Sequence, residues 1–131
     1  MNNEKILIVE DEKIIALDLQ RRLERFGYSV AGMASEGPAA VALAKEREPD
    51  IVLMDIMLAG EMDGIEAAAE IRKRYGIPVI FLTAYTDEKT LERAKEVEPF
   101  GYILKPFKER ELYSTIDIAL YKNSIDKKLR K

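Results

Sequence analysis

The sequence predicts an α/β fold in which one doubly wound, five-stranded parallel sheet is covered by five helices. Two observations support this prediction: short apolar runs alternate strictly with amphipathic segments, and the runs are apolar at nearly every position rather than at every second one. Such runs are typical of parallel strands that are buried on both faces. Right-handed crossovers then place helices on both sides of the sheet. The five runs are residues 6–9, 30–33, 51–54, 79–82 and 102–104.

The segments between the runs carry apolar residues at helical spacing. The stripe that begins at Ile15 ends before Gly27, and the stripe that begins at Ile65 ends before Gly76 and Pro78, so both have a helix-terminating glycine. The other three helices have a start signal, and in the last two of them such a stripe follows. Their start signals are Pro38, the segment 86–88 and Pro106, and the last two stripes are Leu91, Ala94, Val97 and Leu112, Ile116, Ala119.

Composition limits the classes of function. The chain has 131 residues, the size of one domain, and 21 lysines and arginines against 24 aspartates and glutamates, so it lacks the basic excess of a nucleic-acid or membrane-surface binder. It has no cysteine, and its first apolar run is too short for a signal peptide, so a cytoplasmic location is the default expectation. Histidine is also absent, so a phosphohistidine donor must come from another protein.

Polar groups suited to phosphate chemistry follow four of the five strands. Ligands of open parallel sheets bind beyond the carboxyl ends of the strands, and the residues at those ends are Glu10, Asp11, Asp55, Thr83 and Lys105. Each alone has an ordinary alternative, such as a helix cap, a turn or a solvated lysine tip. Together they indicate a site, because carboxylates forced into one crevice repel by roughly 4 kcal/mol per close pair at an effective dielectric near 20.

A cation relieves that repulsion, and hard oxygen ligands favour Mg²⁺ with a place left for a phosphate oxygen. An ionised Asp55 can then attack phosphorus in line to give an acyl phosphate. Lys105 and Thr83 are suited to hold the charged product. The chain is therefore expected to catalyse its own aspartyl phosphorylation and dephosphorylation rather than to act as a conventional enzyme.

From about Lys5 to Leu120 the sequence resembles the receiver domain of two-component response regulators, a flavodoxin-like fold with strand order 2-1-3-4-5. Five motifs in the family's order carry this resemblance: residues 9–12 (VEDE), 53–57 (LMDIM), 62–64 (MDG), 82–84 (LTA) and 105–107 (KPF). Five ordered motifs at predicted strand ends are far more specific than any one of them.

The resemblance implies a role for each matching residue. Asp11, Asp55 and the backbone carbonyl of Met57 would ligate Mg²⁺, and Glu10 would act through a metal-bound water. Tyr102 would be the rotameric switch partner of Thr83, although a strand tyrosine is more often a packing residue. A cis peptide bond would precede Pro106.

The resemblance also implies the partners. A sensor histidine kinase or phosphotransfer protein would supply the phosphoryl group. A homodimer could form through the fourth helix, fifth strand and fifth helix.

Three departures from the family pattern bear on the site. Glu10 stands where a second aspartate is commoner, which affects the outer metal shell. The loop 58–62 is one residue longer than the usual version and has Ala59 where proline is frequent. Met57 and Tyr85 border the expected path of the hydrolytic water and should set the phosphoryl lifetime.

Three other functions are weighed against this one. A flavin or nucleotide binder would need a phosphate-cradling loop after the first strand, where this chain has acidic residues. A dehalogenase-like phosphatase would need a second aspartate at Met57. An interaction module that has lost phosphorylation would lack one of the site groups, and all are present.

The expected domain is residues 1–121, followed by a polar, basic tail at 122–131. A solvated helix end is the favoured interpretation of this tail, and the start of a linker in a longer response regulator or hybrid sensor protein is the alternative.

Overall fold

The computed structural model describes residues 4–84 and 87–129, and within them strands and helices alternate as expected. The sheet is fully parallel, with the order β2-β1-β3-β4-β5. This confirms the predicted fold class and strand order. The elements are β1 (Lys5–Val9), α1 (Lys13–Arg25), β2 (Ser29–Ala34), α2 (Gly37–Arg47), β3 (Ile51–Asp55), α3 (Gly64–Tyr75), β4 (Val79–Thr83), α4 (Glu88–Glu96), β5 (Gly101–Leu104) and α5 (Glu109–Leu129).

The three inner strands divide the core into two layers. Successive side chains of a strand point to opposite faces, so on β1 Ile6 and Ile8 pack with α1 and α5, whereas Leu7 and Val9 pack with α2, α3 and α4. All residues of β3 and β4 are buried. The inner strands therefore form a rigid platform covered on both faces.

The prediction that all five strands are buried on both faces is wrong for the edges. In β2 only Ala34 is buried, and in β5 only Ile103 is buried, while Leu104 is 60% exposed. Each edge strand has a neighbour on one side alone, and the helices cover it incompletely. An apolar run in the sequence does not distinguish an edge strand from a central one.

The helix boundaries follow local side-chain chemistry. At the start of α3, Asp63 and Glu66 form a reciprocal capping box, and Gly76 ends the helix with a positive φ of 65°. At the start of α4, the Asp87 carboxylate accepts a hydrogen bond from the backbone N–H of Thr90 at 2.8 Å. Thr86, the first residue of the predicted start signal 86–88, lies outside the described residues.

The fifth helix begins at Glu109, three residues after Pro106, and continues to Leu129. The segment that was expected to be a solvated helix end is thus helical through residue 129. The boundary at residue 121 stays a prediction. Over residues 4–84 and 87–129, none of the helices combines the length and the hydropathy that crossing a membrane would need.

Candidate functional site

The candidate site lies at the carboxyl ends of β1, β3, β4 and β5. Backbone hydrogen bonds extend the sheet past the strands and fix the site residues. The Glu10 N–H donates to the carbonyl of Ala34 at 3.0 Å, and the Lys105 N–H donates to the carbonyl of Thr83 at 2.8 Å. The strand register thus sets the positions of the polar groups at this edge.

Asp55 is the last residue of β3 and is 4% exposed. Its Oδ1 accepts a hydrogen bond from the backbone N–H of Met57 at 2.9 Å, and its Oδ2 accepts one from Lys105 Nζ at 2.9 Å. Both carboxylate oxygens have donors, so the side chain is held in one orientation. Charge-assisted bonds of this kind are about twice as strong as neutral ones.

The backbone around Asp55 is held by Gly64. A Cβ at this position would overlap the backbone carbonyl of Asp55, and the Gly64 N–H donates to the carbonyl of Ile56 at 3.0 Å. Only glycine permits this close approach of the α3 start to the end of β3. The Asp63-Gly64 motif thus has a structural reason: it caps α3 and lets the helix lie directly against the residue that presents Asp55.

Lys105 lies between two buried carboxylates. Its Nζ is 2.9 Å from Glu10 Oε1 as well as 2.9 Å from Asp55 Oδ2, and Glu10 is 3% exposed. The Lys105-Pro106 peptide bond is cis, as the resemblance implied. The lysine is therefore the counter-charge that makes two buried carboxylates compatible in one crevice.

The electrostatic environment shifts the pKa values of two of these groups. Burial raises the pKa of Glu10 to about 7, although the hydrogen bond from Lys105 opposes this effect. For Lys105, burial lowers the pKa, but hydrogen bonds to Asp55 and Glu10 outweigh burial and leave it raised. Lys105 is thus a cation throughout the physiological range, while Glu10 titrates near neutrality.

The carboxylates of Glu10, Asp11 and Asp55 form the acidic cluster that the sequence predicted. One oxygen from each lies within 4.8 Å of the others. Asp11 is exposed and does not cap α1, whose N-cap is Glu12, so its carboxylate faces the open side of the crevice. An all-oxygen donor set with one solvent-facing member suits Mg²⁺, which keeps several waters.

Thr83 and Tyr102 occupy neighbouring strands. Thr83 is the last residue of β4 and is 3% exposed, and its Oγ1 has no hydrogen-bond partner among the described residues. Tyr102 lies on β5 and is 38% exposed, and its ring centroid is 6.1 Å from that of Phe81. A buried hydroxyl without a partner is unfavourable, and a ligand oxygen at the site would satisfy it.

The structure brings together Glu10, Asp11, Asp55, Thr83 and Lys105. The Met57 N–H donates a hydrogen bond to the Asp55 carboxylate, and the Met57 side chain is 68% exposed. Tyr85 lies outside the described residues.

The sequence interpretation missed three contacts. Two involve Glu10: its ion pair with Lys105, and the bond that its carboxylate accepts from the Glu12 N–H at 3.1 Å. The third is the bond that the Asp55 carboxylate accepts from the Met57 N–H. An aspartate that accepts from a backbone N–H two residues on is a known turn pattern, and it could have indicated the third contact.

Comparisons with known proteins agree with the site geometry. Residues 6–117 match the family model of the response regulator receiver domain. The transcriptional regulatory protein PdtaR of Mycobacterium tuberculosis is 38% identical over 116 residues, which are 88% of this chain and 56% of PdtaR. The chain thus spans little more than half the length of that relative.

Two solved structures are similar over most of their length. The receiver domain of a modulated diguanylate cyclase from Desulfovibrio desulfuricans is 41% identical with a TM-score of 0.91, covering 95% of this chain and 99% of that one. The N-terminal domain of a response regulator/sensory box/GGDEF protein from Carboxydothermus hydrogenoformans is 37% identical with a TM-score of 0.86, covering 94% and 98%.

The chain belongs to the receiver domains of two-component response regulators, a family consistent with phosphorylation-dependent signalling. Receiver domains generally bind Mg²⁺ and interact with histidine kinases or phosphotransfer proteins. The acidic cluster at residues 10, 11 and 55 is a set of groups that could hold such an ion.

Proposed function

We propose that this chain is a signalling switch that accepts a phosphoryl group on the carboxylate of Asp55. The observation that carries the proposal is the convergence of a buried aspartate, a lysine ammonium at 2.9 Å and a buried threonine hydroxyl for which residues 4–84 and 87–129 offer no hydrogen-bond partner. An oxygen of Asp55 forms the new bond to phosphorus while the bond from phosphorus to the donor breaks, and the donor leaves with that electron pair.

Asp11 and Asp55 would hold the Mg²⁺ directly with the Met57 carbonyl, and Glu10 would act through a bound water. When bound, the ion would neutralise negative charge on the phosphoryl oxygens. Lys105 supplies a second positive charge, and its raised pKa keeps it protonated during the transfer. Because Lys105 already contacts Asp55, it needs only a small movement to reach an oxygen of the attached group.

The signal would leave the site through Thr83. A phosphoryl oxygen offers the Thr83 hydroxyl the acceptor that it lacks among the described residues. As Thr83 moves inward, Tyr102 can turn from its half-exposed position towards the space at the end of β4. The contact between the Thr83 hydroxyl and the phosphoryl oxygen exists only in the phosphorylated state, and a switch requires such a difference between its two states.

The fourth helix is suited to respond to that movement. Of its residues only Ala94 is buried, whereas α3 buries five residues, and an exposed ion pair of 3.0 Å joins Arg93 of α4 to Asp63 at the start of α3. Exposed pairs of this kind contribute at most about 1 kcal/mol. We therefore propose the surface of α4, β5 and α5 as the face whose contacts depend on phosphorylation.

The phosphoryl donor would be a histidine kinase or a phosphotransfer protein, since this sequence has no histidine. Exposed apolar side chains beside the acidic cluster offer such a protein a docking surface. Ile14 on α1 is 84% exposed, Leu17 is 38% exposed, and Met57, two residues after Asp55, is 68% exposed.

The test is phosphorylation by a small donor. Incubation with acetyl phosphate and Mg²⁺ should add one phosphoryl group to the intact mass, and chelation of the ion should prevent it. The adduct should vanish in Asp55→Asn and persist in Asp18→Asn, a control carboxylate on the exposed side of α1. An undiminished adduct in Asp55→Asn would contradict the proposal, and no adduct in any protein would favour a phosphorylation-independent interaction module.

The metal is tested separately by thermal unfolding. A ligand that binds only the folded state raises the melting temperature, and the rise grows with the logarithm of the ligand concentration once that concentration exceeds the dissociation constant. We expect Mg²⁺ to raise it in the unmodified protein and to have little effect in Asp11→Ala. A melting temperature indifferent to Mg²⁺ in the unmodified chain would remove the ion from the mechanism.

A further inference from the structure

The loop between β3 and α3 contacts the start of α2 at two points. Ala59 forms an isolated parallel β-bridge with Glu36, which is the N-cap residue of α2. Further along the loop, the side chain of Met62 lies against Gly37, the first residue of that helix. Between the two contacts Gly60 turns the chain with a positive φ of 95°. The extended loop therefore packs onto a neighbouring helix instead of standing free.

The contact of Met62 with Gly37 leaves no room for a side chain at position 37. A Cβ on Gly37 would lie 2.7 Å from the Met62 Cγ and 3.0 Å from the Met62 Cβ, whereas carbon atoms in contact are about 3.5–4.0 Å apart. A change of rotamer moves the Cγ but not the Cβ, so the loop backbone itself would have to shift. Met62 also packs against the core layer that α2 and α3 share. Glycine at position 37 thus allows the loop to lie directly on the helix.

These contacts hold the backbone on one side of Met57, and the site residues hold it on the other. Before Met57, Gly64 fixes the backbone of Asp55, and the Met57 N–H donates to the Asp55 carboxylate at 2.9 Å. After Met57, Leu58 is 8% exposed and belongs to the core layer on which Met62 packs. The Met57 carbonyl lies between two anchored segments, so both segments set its position.

A magnesium site is sensitive to the position of such a carbonyl. Mg²⁺ demands nearly ideal octahedral geometry with ligands at about 2.0–2.1 Å, so a displaced ligand binds it poorly. Groups that only orient the ligands of a metal typically change its affinity about 10–100-fold when they are removed. The Met57 side chain is 68% exposed, so its own packing does little to hold the carbonyl. The contacts of the loop with α2 supply that support.

We propose that Gly37 and Met62 are positioning residues for the Mg²⁺ site. Their contact, together with the bridge from Ala59 to Glu36, holds the loop so that the Met57 carbonyl is available to the ion. This inference rests on the proposed function, because it takes the Met57 carbonyl as a metal ligand. It makes the start of α2 a support of metal binding, although none of the proposed ligands lies on that helix.

The test is a titration of the unphosphorylated protein with Mg²⁺, followed by its amide resonances. Met62→Ala removes the contact and Gly37→Ala forces it apart, so each should raise the dissociation constant for Mg²⁺ about tenfold. Met62→Leu keeps a side chain of similar volume and should stay within about twofold of the unmodified protein. Thermal unfolding in a chelator checks that each variant is folded at the temperature of the titration.

Two matched controls lie on β2, away from the loop. Gly32→Ala adds the same methyl group at a position where Leu43 Cδ1 would be 3.6 Å away, an ordinary contact distance. Met33→Ala truncates a methionine that is 39% exposed. Both controls should leave the dissociation constant within about twofold of the unmodified value.

The double variant of Gly37→Ala and Met62→Ala tests whether the two residues act through one contact. Its loss of affinity should be smaller than the product of the two single losses, because both changes release the same contact. Losses that multiply fully would overturn the proposal. So would single variants that bind Mg²⁺ as tightly as the controls, in which case the proposed function stands if Asp11→Ala alone abolishes binding. If the unmodified protein does not bind Mg²⁺, this inference and the metal part of the proposed function are both wrong.

Discussion

The interior residues of the inner strands and the residues at their carboxyl ends are both buried, but they have opposite effects on the stability of the fold. Leu53 and Met54 on β3 are fully buried among apolar neighbours, and each stabilises the fold by removing apolar surface from water. Asp55, the next residue, is equally buried but charged. Burial of Asp55, Glu10 and Thr83 costs free energy that only ion pairs or a bound ligand offset. On β3, the residues that stabilise the fold therefore lie directly before the residue that we propose for function.

The largest effect on stability is expected inside the strand. Leu53→Ala leaves a cavity in the layer between β3 and the helices α1 and α5, and should lower the free energy of unfolding by about 2–5 kcal/mol. The matched control is Leu104→Ala on the exposed edge strand, which should change it by less than about 0.5 kcal/mol. Denaturant unfolding measures both, and similar losses would contradict the contrast between inner and edge strands.

A smaller effect on the free energy of unfolding, of opposite sign, is expected for a substitution of Glu10, the residue directly after β1. Because the pKa of Glu10 is raised to about 7 from 4.5, the folded metal-free protein holds a proton that the unfolded chain releases. Glu10 therefore contributes stability below pH 4.5 and loses it as the pH rises through 7. Glu10→Gln, which keeps the neutral form, should be more stable than the unmodified protein at pH 8 by about 1–3 kcal/mol, with no gain at pH 4.

Urea unfolding in the presence of a chelator measures this difference, with Glu61→Gln as the control at an exposed glutamate. If Glu10→Gln is less stable than the unmodified protein at pH 8, the ion pair with Lys105 outweighs burial. The assignment of Glu10 as a destabilising group would then be wrong.

The smallest effect on stability is expected for a substitution of Thr83, the last residue of β4. Thr83→Val replaces a buried hydroxyl that has no partner in the described part of the chain with a methyl group of similar shape, so the stability of the free protein should stay the same or rise by up to about 1 kcal/mol. The same change should prevent the response of Tyr102. Amide resonances near Tyr102 should shift when beryllium trifluoride and Mg²⁺ bind the unmodified protein, and these shifts should be lost in Thr83→Val while those around Asp55 remain.

Much of this contrast follows from the sequence. The apolar runs predicted the five strands, and the polar residues directly after them predicted the convergence of Glu10, Asp11, Asp55, Thr83 and Lys105, because parallel strands end at one edge of a sheet. Edge exposure was not predicted, since β2 and β5 are as apolar locally as the central strands. Their exposure depends on which helices cover them.

The hydrogen-bond details also required the structure. The double contact of Lys105 depends on the relative placement of β1, β3 and β5, which are distant in sequence. The need for glycine at position 64 depends on how closely α3 approaches Asp55. The effects of Met57 and Tyr85 on phosphoryl lifetime stay predictions.

The most direct test of the account is to locate the acyl phosphate. The chain is phosphorylated with acetyl phosphate and Mg²⁺ and treated with borohydride, which reduces an aspartyl phosphate to homoserine, and its peptides are then sequenced by mass spectrometry. The account predicts homoserine at position 55 alone, with Asp11 and Asp63 unchanged. Homoserine at another aspartate, with Asp55 unmodified, would contradict the central claim that the tip of β3 is the phosphoryl acceptor.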